Sequence, residues 1–170
     1  GAGVMQVSSS GKERYTVHYG KMKKTINGLS PTYQFIRGKM KRTCIIQQRI
    51  PLANVKGRPF DVRVMVQKKR GSNWVVTGTL AKIAGSGYFI TNIVRSKGKA
   101  LPLHSAIQQS NLKTGSNQPI QKQINQLALK AANHLGKYYR LHTIGLDIGV
   151  DTNGKIWLIE ANFNPDKTYF

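Results

Sequence analysis

The chain has 170 residues and carries 27 Lys and Arg against 6 Asp and Glu, a formal net charge of +21 at pH 7. Hydrophobic residues make up 39%, which is ordinary for a globular domain and excludes a disordered basic tail. Uncharged apolar runs such as Val75–Ala81 and Ile144–Val150 fall far short of the roughly 20 residues of a membrane span, and no secretory leader is expected. A single cysteine, Cys44, excludes a disulfide framework and a cysteine-rich zinc site and makes a reducing, intracellular setting the default.

In chain order, the segment from Gly1 to Tyr19 reads as two short strands around the turn Ser8-Ser9-Ser10-Gly11. Ser30-Pro31 reads as an N-cap followed by proline at the first helical position, and predicts a helix over Pro31–Lys41. Cys44–Gln48 is a β-rich run stopped by Pro51, with Cys44 as a small core residue, and Leu52–Pro59 is a loop. In Asp61–Gln67, Val62, Val64 and Val66 take one face of a strand and Asp61, Arg63 and Met65 the other. The turn Arg70–Asn73 leads to a second strand, Trp74–Ile83, and the pair reads as a hairpin. Tyr88–Ile93 is expected as another short strand and Lys97–Gly115 mostly as loop. Pro119 opens the clearest helix, with Ile120, Ile124, Leu127, Ala128, Ala131 and Leu135 on one stripe. Thr143–Val150 and Lys155–Ala161 form a hairpin across Asp151-Thr152-Asn153-Gly154, whose Asn-Gly is a strong turn signal. Strands, then helix, then strands predict an α+β fold with an antiparallel sheet. Trp74 and Trp157 read as core, and His18, His104, His134 and His142 lack metal-ligand spacing.

The bases cluster at Lys21–Lys24, Lys39–Arg42 and Lys68–Arg70, and such a surface attracts polyanions, nucleic acid included. No reader motif accompanies them, so a surface merely poor in acids stands beside a dedicated groove as an explanation. The acids are more informative. Glu13 apart, they are Asp61, Asp147, Asp151, Glu160 and Asp166. In the first strand of the last hairpin, Gly145, Asp147 and Gly149 share a face, and two glycines around a carboxylate leave open space for an ion or phosphate. In its partner, Glu160 and Asn162 point the same way. This all-oxygen set suits Mg²⁺ or Mn²⁺. Alternatively Asp147 caps a turn and Glu160 pairs with a surface lysine. Glu160 ends the apolar run Ile156–Ile159 and is expected to be half-buried, which favours a partner such as a metal.

Gly145-Leu146-Asp147-Ile148, then Ile159-Glu160-Ala161-Asn162, then Asn164-Pro165 resembles the metal-binding signature of the ATP-grasp superfamily. Asp61-Val62-Arg63-Val64 resembles its Asp-x-Arg strand. Lys82 and Asn92 resemble the basic residue and asparagine that bracket a glycine-containing loop. Gln47-Gln48-Arg49-Ile50 resembles the hinge that meets the adenine ring, and Gly1-Ala2-Gly3-Val4 the tail of a glycine-rich phosphate loop. The narrower match is to the YheC/YheD family of endospore-coat-associated proteins, carried by Gln47-Gln48-x-Ile50-Pro51-Leu52, Gly57-Arg58-Pro59-Phe60-Asp61, Leu80–Gly85 and Leu158–Asn162.

The resemblance implies an ATP-grasp C-terminal lobe at 51–170 with the metal and phosphate site, and at 1–50 the rest of the smaller nucleotide-binding lobe. It implies the C-terminal part of a longer protein, because the family's upstream lysine-bearing strand has no counterpart. It implies ATP and Mg²⁺ (or Mn²⁺) as cofactors, with Asp147, Glu160 and Asn162 as metal ligands. Gln47, Gln48, Arg49, Ile50, Arg63, Lys82 and Asn92 would meet the nucleotide, and Arg63 and Lys82 would serve catalysis. The implied reaction joins a carboxylate to an amine through an acyl phosphate. The implied place is the cytoplasm of mother cell or forespore, in association with the spore coat and without a membrane. For Arg63 an ion pair with Asp61 is the plain alternative, and for Lys82 a surface lysine. The competing function is a non-catalytic basic module for an anionic polymer, nucleic acid or a spore polymer, on the same scaffold.

Overall fold

Two antiparallel sheets organise the computed structural model, which describes residues 3–40, 43–113, 119–166 and 168. Strands β1 (Met5–Ser9), β2 (Arg14–Tyr19) and β3 (Met22–Asn27) form the smaller sheet in the order β1-β2-β3. The sequence reading finds the first two but takes Lys21–Lys24 only as a basic cluster. Helix α1 (Leu29–Lys39) follows. Its cap is Gly28, at φ 87, not Ser30, and Thr32 Oγ1 donates to the Gly28 carbonyl at 2.7 Å. A φ that L side chains rarely adopt and the donor at Thr32 move the start upstream of Pro31. Of the segments singled out in the sequence, Gly1-Ala2, Lys41-Arg42, Thr114-Gly115, Lys167 and Tyr169-Phe170 lie outside the described residues.

The run Cys44–Gln48 is not a strand. Residues 43–49 are exposed throughout, Ile45 and Ile46 by 89% and 93%, and Cys44 with them. β-Propensity reflects packing on a pleated surface, and among the described residues no strand pairs with this segment.

The larger sheet holds β4 (Asn54–Val55), β5 (Arg58–Gln67), β6 (Val75–Ile83), β7 (Lys99–Pro102), β8 (Thr143–Val150) and β9 (Ile156–Asn162). Its order is β7-β6-β5-β8-β9, with β4 paired to β5. Between β6 and β8 lie α2 (Ile93–Ser96), α3 (Leu103–Gln108) and α4 (Ile120–Leu135). The expected strand at Tyr88–Ile93 gives way to a turn and to α2, because the Asn92 side chain accepts from Arg95 N at 3.0 Å and starts a helix there. The expected loops at Leu52–Pro59 and Lys97–Gly115 contain β4, β7 and α3.

The core follows from the alternation in β5 and β8. Val62, Val64 and Val66 of β5 and Ile144, Leu146 and Ile148 of β8 are fully buried on one face. Ile124, Ala128 and Ala132, spaced four apart on α4, are fully buried in the same cluster. Trp74 belongs to this core, whereas Trp157 is half-buried and donates its Nε1–H to Asp151 Oδ2 at 3.0 Å. Asp151 also accepts from the amides of Asn153 and Lys155. Burial raises its pKa, but these donors outweigh it and hold it below the ordinary value. Asp151 thus shapes the hairpin turn that Gly154, at φ 82, completes.

Candidate functional site

With the valine face of β5 committed to the core, Asp61 and Arg63 emerge on the opposite face. The register decides what they meet. Asp61 stands opposite Lys82 of β6, Arg63 opposite Asp147 of β8, and Asp147 opposite Glu160 of β9. A row of charged groups therefore crosses four adjacent strands on one face.

Arg63 grips Asp147 as a fork, Nε to Oδ1 at 2.6 Å and Nη2 to Oδ2 at 3.2 Å. Lys82 Nζ lies between two carboxylates, 3.0 Å from Asp147 Oδ2 and 3.3 Å from Asp61 Oδ1. The other oxygen of Asp61, Oδ2, accepts from Thr91 Oγ1 at 2.7 Å. Asp61 Oδ1 has no hydrogen bond among the described residues and is met only by the ionic contact with Lys82. Burial pushes Asp61 up to about 6, against the pull of Lys82 and with the repulsion of Asp147. For Arg63 burial works against the charge, but the hydrogen bonds and charge of Asp147 outweigh it and its pKa rises.

Two plain alternatives fall here. Arg63 pairs with Asp147, not with its strand neighbour Asp61. Lys82 is no surface lysine, since its side chain is only 13% exposed.

Other expectations are corrected. Glu160 is exposed, not half-buried: β9 is the edge strand of the sheet, so no further strand shields it. Nor is the space around Asp147 open. A Cβ on Gly145 would lie 2.6 Å from Pro165 Cβ, and one on Gly149 would lie 2.8 Å from Leu52 Cδ2 and 3.2 Å from Ile159 Cδ1. Ile159 reaches that position because the β8–β9 register shifts between Asp147 and Ile148. The glycines admit packing neighbours.

The remaining candidates are spread around this row. Asn162 stands opposite Gly145, two pairs beyond Glu160 and so on the same face. Asn92 is the cap of α2, and its side-chain oxygen is committed to Arg95 N. With Arg63, Leu80, Lys82, Ile93, Val94 and Asp166 it lines a cavity of about 160 Å³. That volume admits a phosphoryl group, not a whole nucleotide, for which sites of about 300 Å³ or more are usual. Gln47, Gln48 and Arg49 are exposed and Ile50 half-buried, and none of them lines that cavity.

No group of three or more His, Cys, Asp or Glu is placed to hold a metal among the described residues. Two carboxylates and an amide on one sheet face nevertheless suit a hard cation that takes its other ligands from phosphate or water. Glu160 makes no hydrogen bond or ion pair among the described residues, whereas Asp147 is already held at both oxygens.

Sequence reasoning missed two contributors. Thr91 anchors Asp61. His18, passed over as ordinary, is buried in β2, and its Nε2–H meets the Gly87 carbonyl at 3.1 Å while its ring lies 4.7 Å from that of Phe89. It clasps the smaller sheet to the loop that leads to Thr91 and Asn92. No spacing signal marks such a histidine.

The description of YheC/D-like ATP-grasp domains matches residues 1–170. The chain belongs to this ATP-grasp family. It is also similar to the endospore coat-associated protein YheD of Bacillus subtilis (strain 168), 30% identical over 128 residues, 74% of this chain and 27% of that protein. The aligned part thus spans about a quarter of that relative. Membership agrees with the α+β organisation, and no helix among the described residues is long and apolar enough to cross a membrane.

Proposed function

We propose that this chain supplies the phosphate and metal end of an ATP- and Mg²⁺-dependent site for ligase chemistry that joins a carboxylate to an amine. The observation that carries the reading is the Asp61–Lys82–Asp147–Arg63 network, buried on one sheet face with Glu160 in register beside it. In this reading residues 51–170 are the lobe that carries the site, and residues 1–50 belong to the nucleotide-binding lobe, with Gln47, Gln48, Arg49 and Ile50 at the hinge.

Arg63 and Lys82 supply two fixed cations at the wall of a phosphate-sized cavity. With Nε and Nη2 of Arg63 on Asp147, the end-on Nη1 and Nη2 hydrogens are what it offers to phosphate oxygens. The pairing with Asp147 holds the guanidinium in place before ligand arrives, so little reorganisation remains to be done. Lys82 exchanges one of its two carboxylate contacts for a phosphate oxygen. Asp61, tied by Thr91, keeps Lys82 at the cavity wall. Asp147, Glu160 and Asn162 would hold the divalent ion, Mg²⁺ or Mn²⁺, which neutralises phosphate charge when bound. Asn92 shapes the cavity rim through its helix cap.

An extended anionic polymer does not fit the cavity of about 160 Å³ at this row. In this reading, supported by the name of the relative YheD, the protein works in association with the spore coat, in mother cell or forespore.

The test is isothermal titration of Mg²⁺–ATP into the chain and into a Glu160→Gln/Asn162→Ala variant at moderate salt, which damps nonspecific attraction to a +21 protein. Binding that needs Mg²⁺ and is lost in the variant is expected. Weak binding, indifferent to Mg²⁺ and equal in both proteins, would overturn the reading.

A further inference from the structure

Away from the charged row, at the end of the sheet where β5 leaves and β8 enters, lies a larger groove of about 750 Å³. It shares no lining residue with the cavity beside Arg63. Lys68 is five residues along the chain from Arg63, roughly 17 Å of extended strand.

The chemistry of this groove differs from that of the row. Lys68, Arg70, Lys137 and Arg140 line it, with His142, and none of the six acidic residues of the chain does so. Its other feature is aromatic. Tyr138 and Tyr139 belong to the lining and are 69% and 51% exposed. Exposed aromatic faces among unneutralised cations are unusual for a surface that only needs to stay soluble.

These rings are also held in place. The amides of Tyr138 and Tyr139 both donate to the Leu135 carbonyl at 3.0 Å, so the pair is fixed to the last turn of α4. Tyr139 is backed by Phe163, ring centroids 5.0 Å apart, and Tyr138 by His134 at 5.3 Å. Behind them the Trp74 indole fills the place where Gly136 lacks a side chain, and Lys68 Nζ lies 4.9 Å from that indole. Lys68 N donates to the His142 carbonyl at 3.0 Å, which ties the two walls together. Preorganised walls reduce the ordering cost of binding.

We propose that this groove binds single-stranded nucleic acid, its bases stacked on Tyr138 and Tyr139 and its phosphates met by Lys68, Arg70, Lys137 and Arg140. Cations along a groove with stacking platforms are the general means of holding single strands without sequence preference. Inorganic polyphosphate or an acidic peptide gains charge pairing here and nothing from the rings. An anionic bilayer is flat and does not fill a concave groove. The proposal is independent of the Mg²⁺–ATP reading, since it uses none of the same residues.

The test is fluorescence anisotropy of a labelled oligothymidine of about a dozen nucleotides titrated with the whole chain over a range of salt. Lys137→Gln/Arg140→Gln is expected to weaken binding about tenfold and to lower the salt slope by about 1.4, the share of two phosphate contacts on a single strand. Lys23→Gln/Lys24→Gln removes the same charge outside the groove and is expected to change affinity less than about threefold. Tyr138→Ala/Tyr139→Ala leaves the charge intact and is expected to cost about fivefold or more with the oligonucleotide, yet nothing with polyphosphate. Far-UV circular dichroism of the variant checks that it is folded. Equal losses from the two charge variants would overturn the proposal, as would oligonucleotide binding indifferent to the tyrosine variant. So would preferential binding to phosphatidylserine vesicles.

Discussion

Arg63 and Asp147 stand opposite each other on β5 and β8 and are joined at both oxygens, Nε to Oδ1 at 2.6 Å and Nη2 to Oδ2 at 3.2 Å. Their side chains are only 17% and 9% exposed. Asp147 therefore serves as counter-ion to two cations at once, Arg63 and Lys82. Asp147→Asn leaves both without their shared partner and is expected to lower unfolding stability by about 3 kcal/mol, the scale of breaking a buried pair from one side. Arg63→Lys keeps the charge but loses the fork, and about 1–2 kcal/mol is expected. Urea unfolding followed by circular dichroism measures both. An unchanged stability in Arg63→Lys would mean that the fork geometry contributes nothing beyond charge.

Asp61 is the carboxylate of the network that burial pushes up to about 6 from an ordinary value of 3.8. A raised folded-state pKa means that the folded chain holds the proton more tightly than the unfolded one. The stability this brings is present below about 4 and is lost as pH rises to about 6. Asp61→Asn cannot titrate, so its melting temperature relative to the parent is expected to climb across that window. Carboxyl ¹³C NMR of the parent is expected to show one titration near 6. A midpoint near 4 for Asp61 would show that the Lys82 contact outweighs burial.

His18 gives the opposite sign. Burial in β2 is the main reason that its pKa lies below 6.5, the Gly87 carbonyl and neighbouring cations being lesser influences. The unfolded chain then binds protons more readily at mildly acid pH, and stability falls as pH drops below about 6.5. The clasp between the smaller sheet and the 84–92 loop is expected to loosen in step. Hydrogen exchange at the amides of 84–92 is expected to quicken between pH 7 and 5.5 in the parent, after correction for the intrinsic rate. His18→Gln is expected to exchange faster at neutral pH and to show little further change. A parent profile as flat as that of the variant would rule the clasp out.

What the sequence showed of this site follows strand periodicity. Alternation in Asp61–Gln67 assigns Arg63 to the face away from the core, and the Asn-Gly turn brings Asp147 and Glu160 together, so those residues were legible in the sequence alone. The partner of Arg63 was not. Its choice depends on β8 pairing with β5 on the side that β6 leaves free, a long-range event that no local pattern encodes. The same holds for Glu160, whose exposure follows from the edge position of β9, and for Lys82, buried between two carboxylates that lie on different strands. Cys44–Gln48 failed in the reverse direction: its composition suits a strand, yet no strand among the described residues pairs with it. Thr91 and His18 were missed because each acts through contacts across the fold, Thr91 with the Asp61 carboxylate and His18 with the Gly87 carbonyl and the Phe89 ring.

The two glycines that flank Asp147 are expected to respond differently to the same added methyl. Both lie outside the positive-φ region, so alanine brings no backbone strain and gains slightly by restricting the unfolded chain. At Gly149 the methyl meets Leu52 Cδ2 at 2.8 Å and Ile159 Cδ1 at 3.2 Å, both ends of rotatable side chains that can turn aside. At Gly145 it meets the Pro165 ring at 2.6 Å, and Pro165 is buried and fixed to its own backbone. Relief there requires moving the segment after β9, which carries Asp166 to the cavity beside Arg63. Gly145→Ala is accordingly expected to cost about 1–3 kcal/mol, the range for overpacking, and Gly149→Ala less than about 1 kcal/mol. Urea midpoints rank the two. If Mg²⁺–ATP binds as proposed, Gly145→Ala weakens it as well, whereas Gly149→Ala leaves it nearly intact. The reverse order of stability would mean that Leu52 and Ile159 are held more firmly than the Pro165 segment, and that residues 163–166 yield freely beside the site.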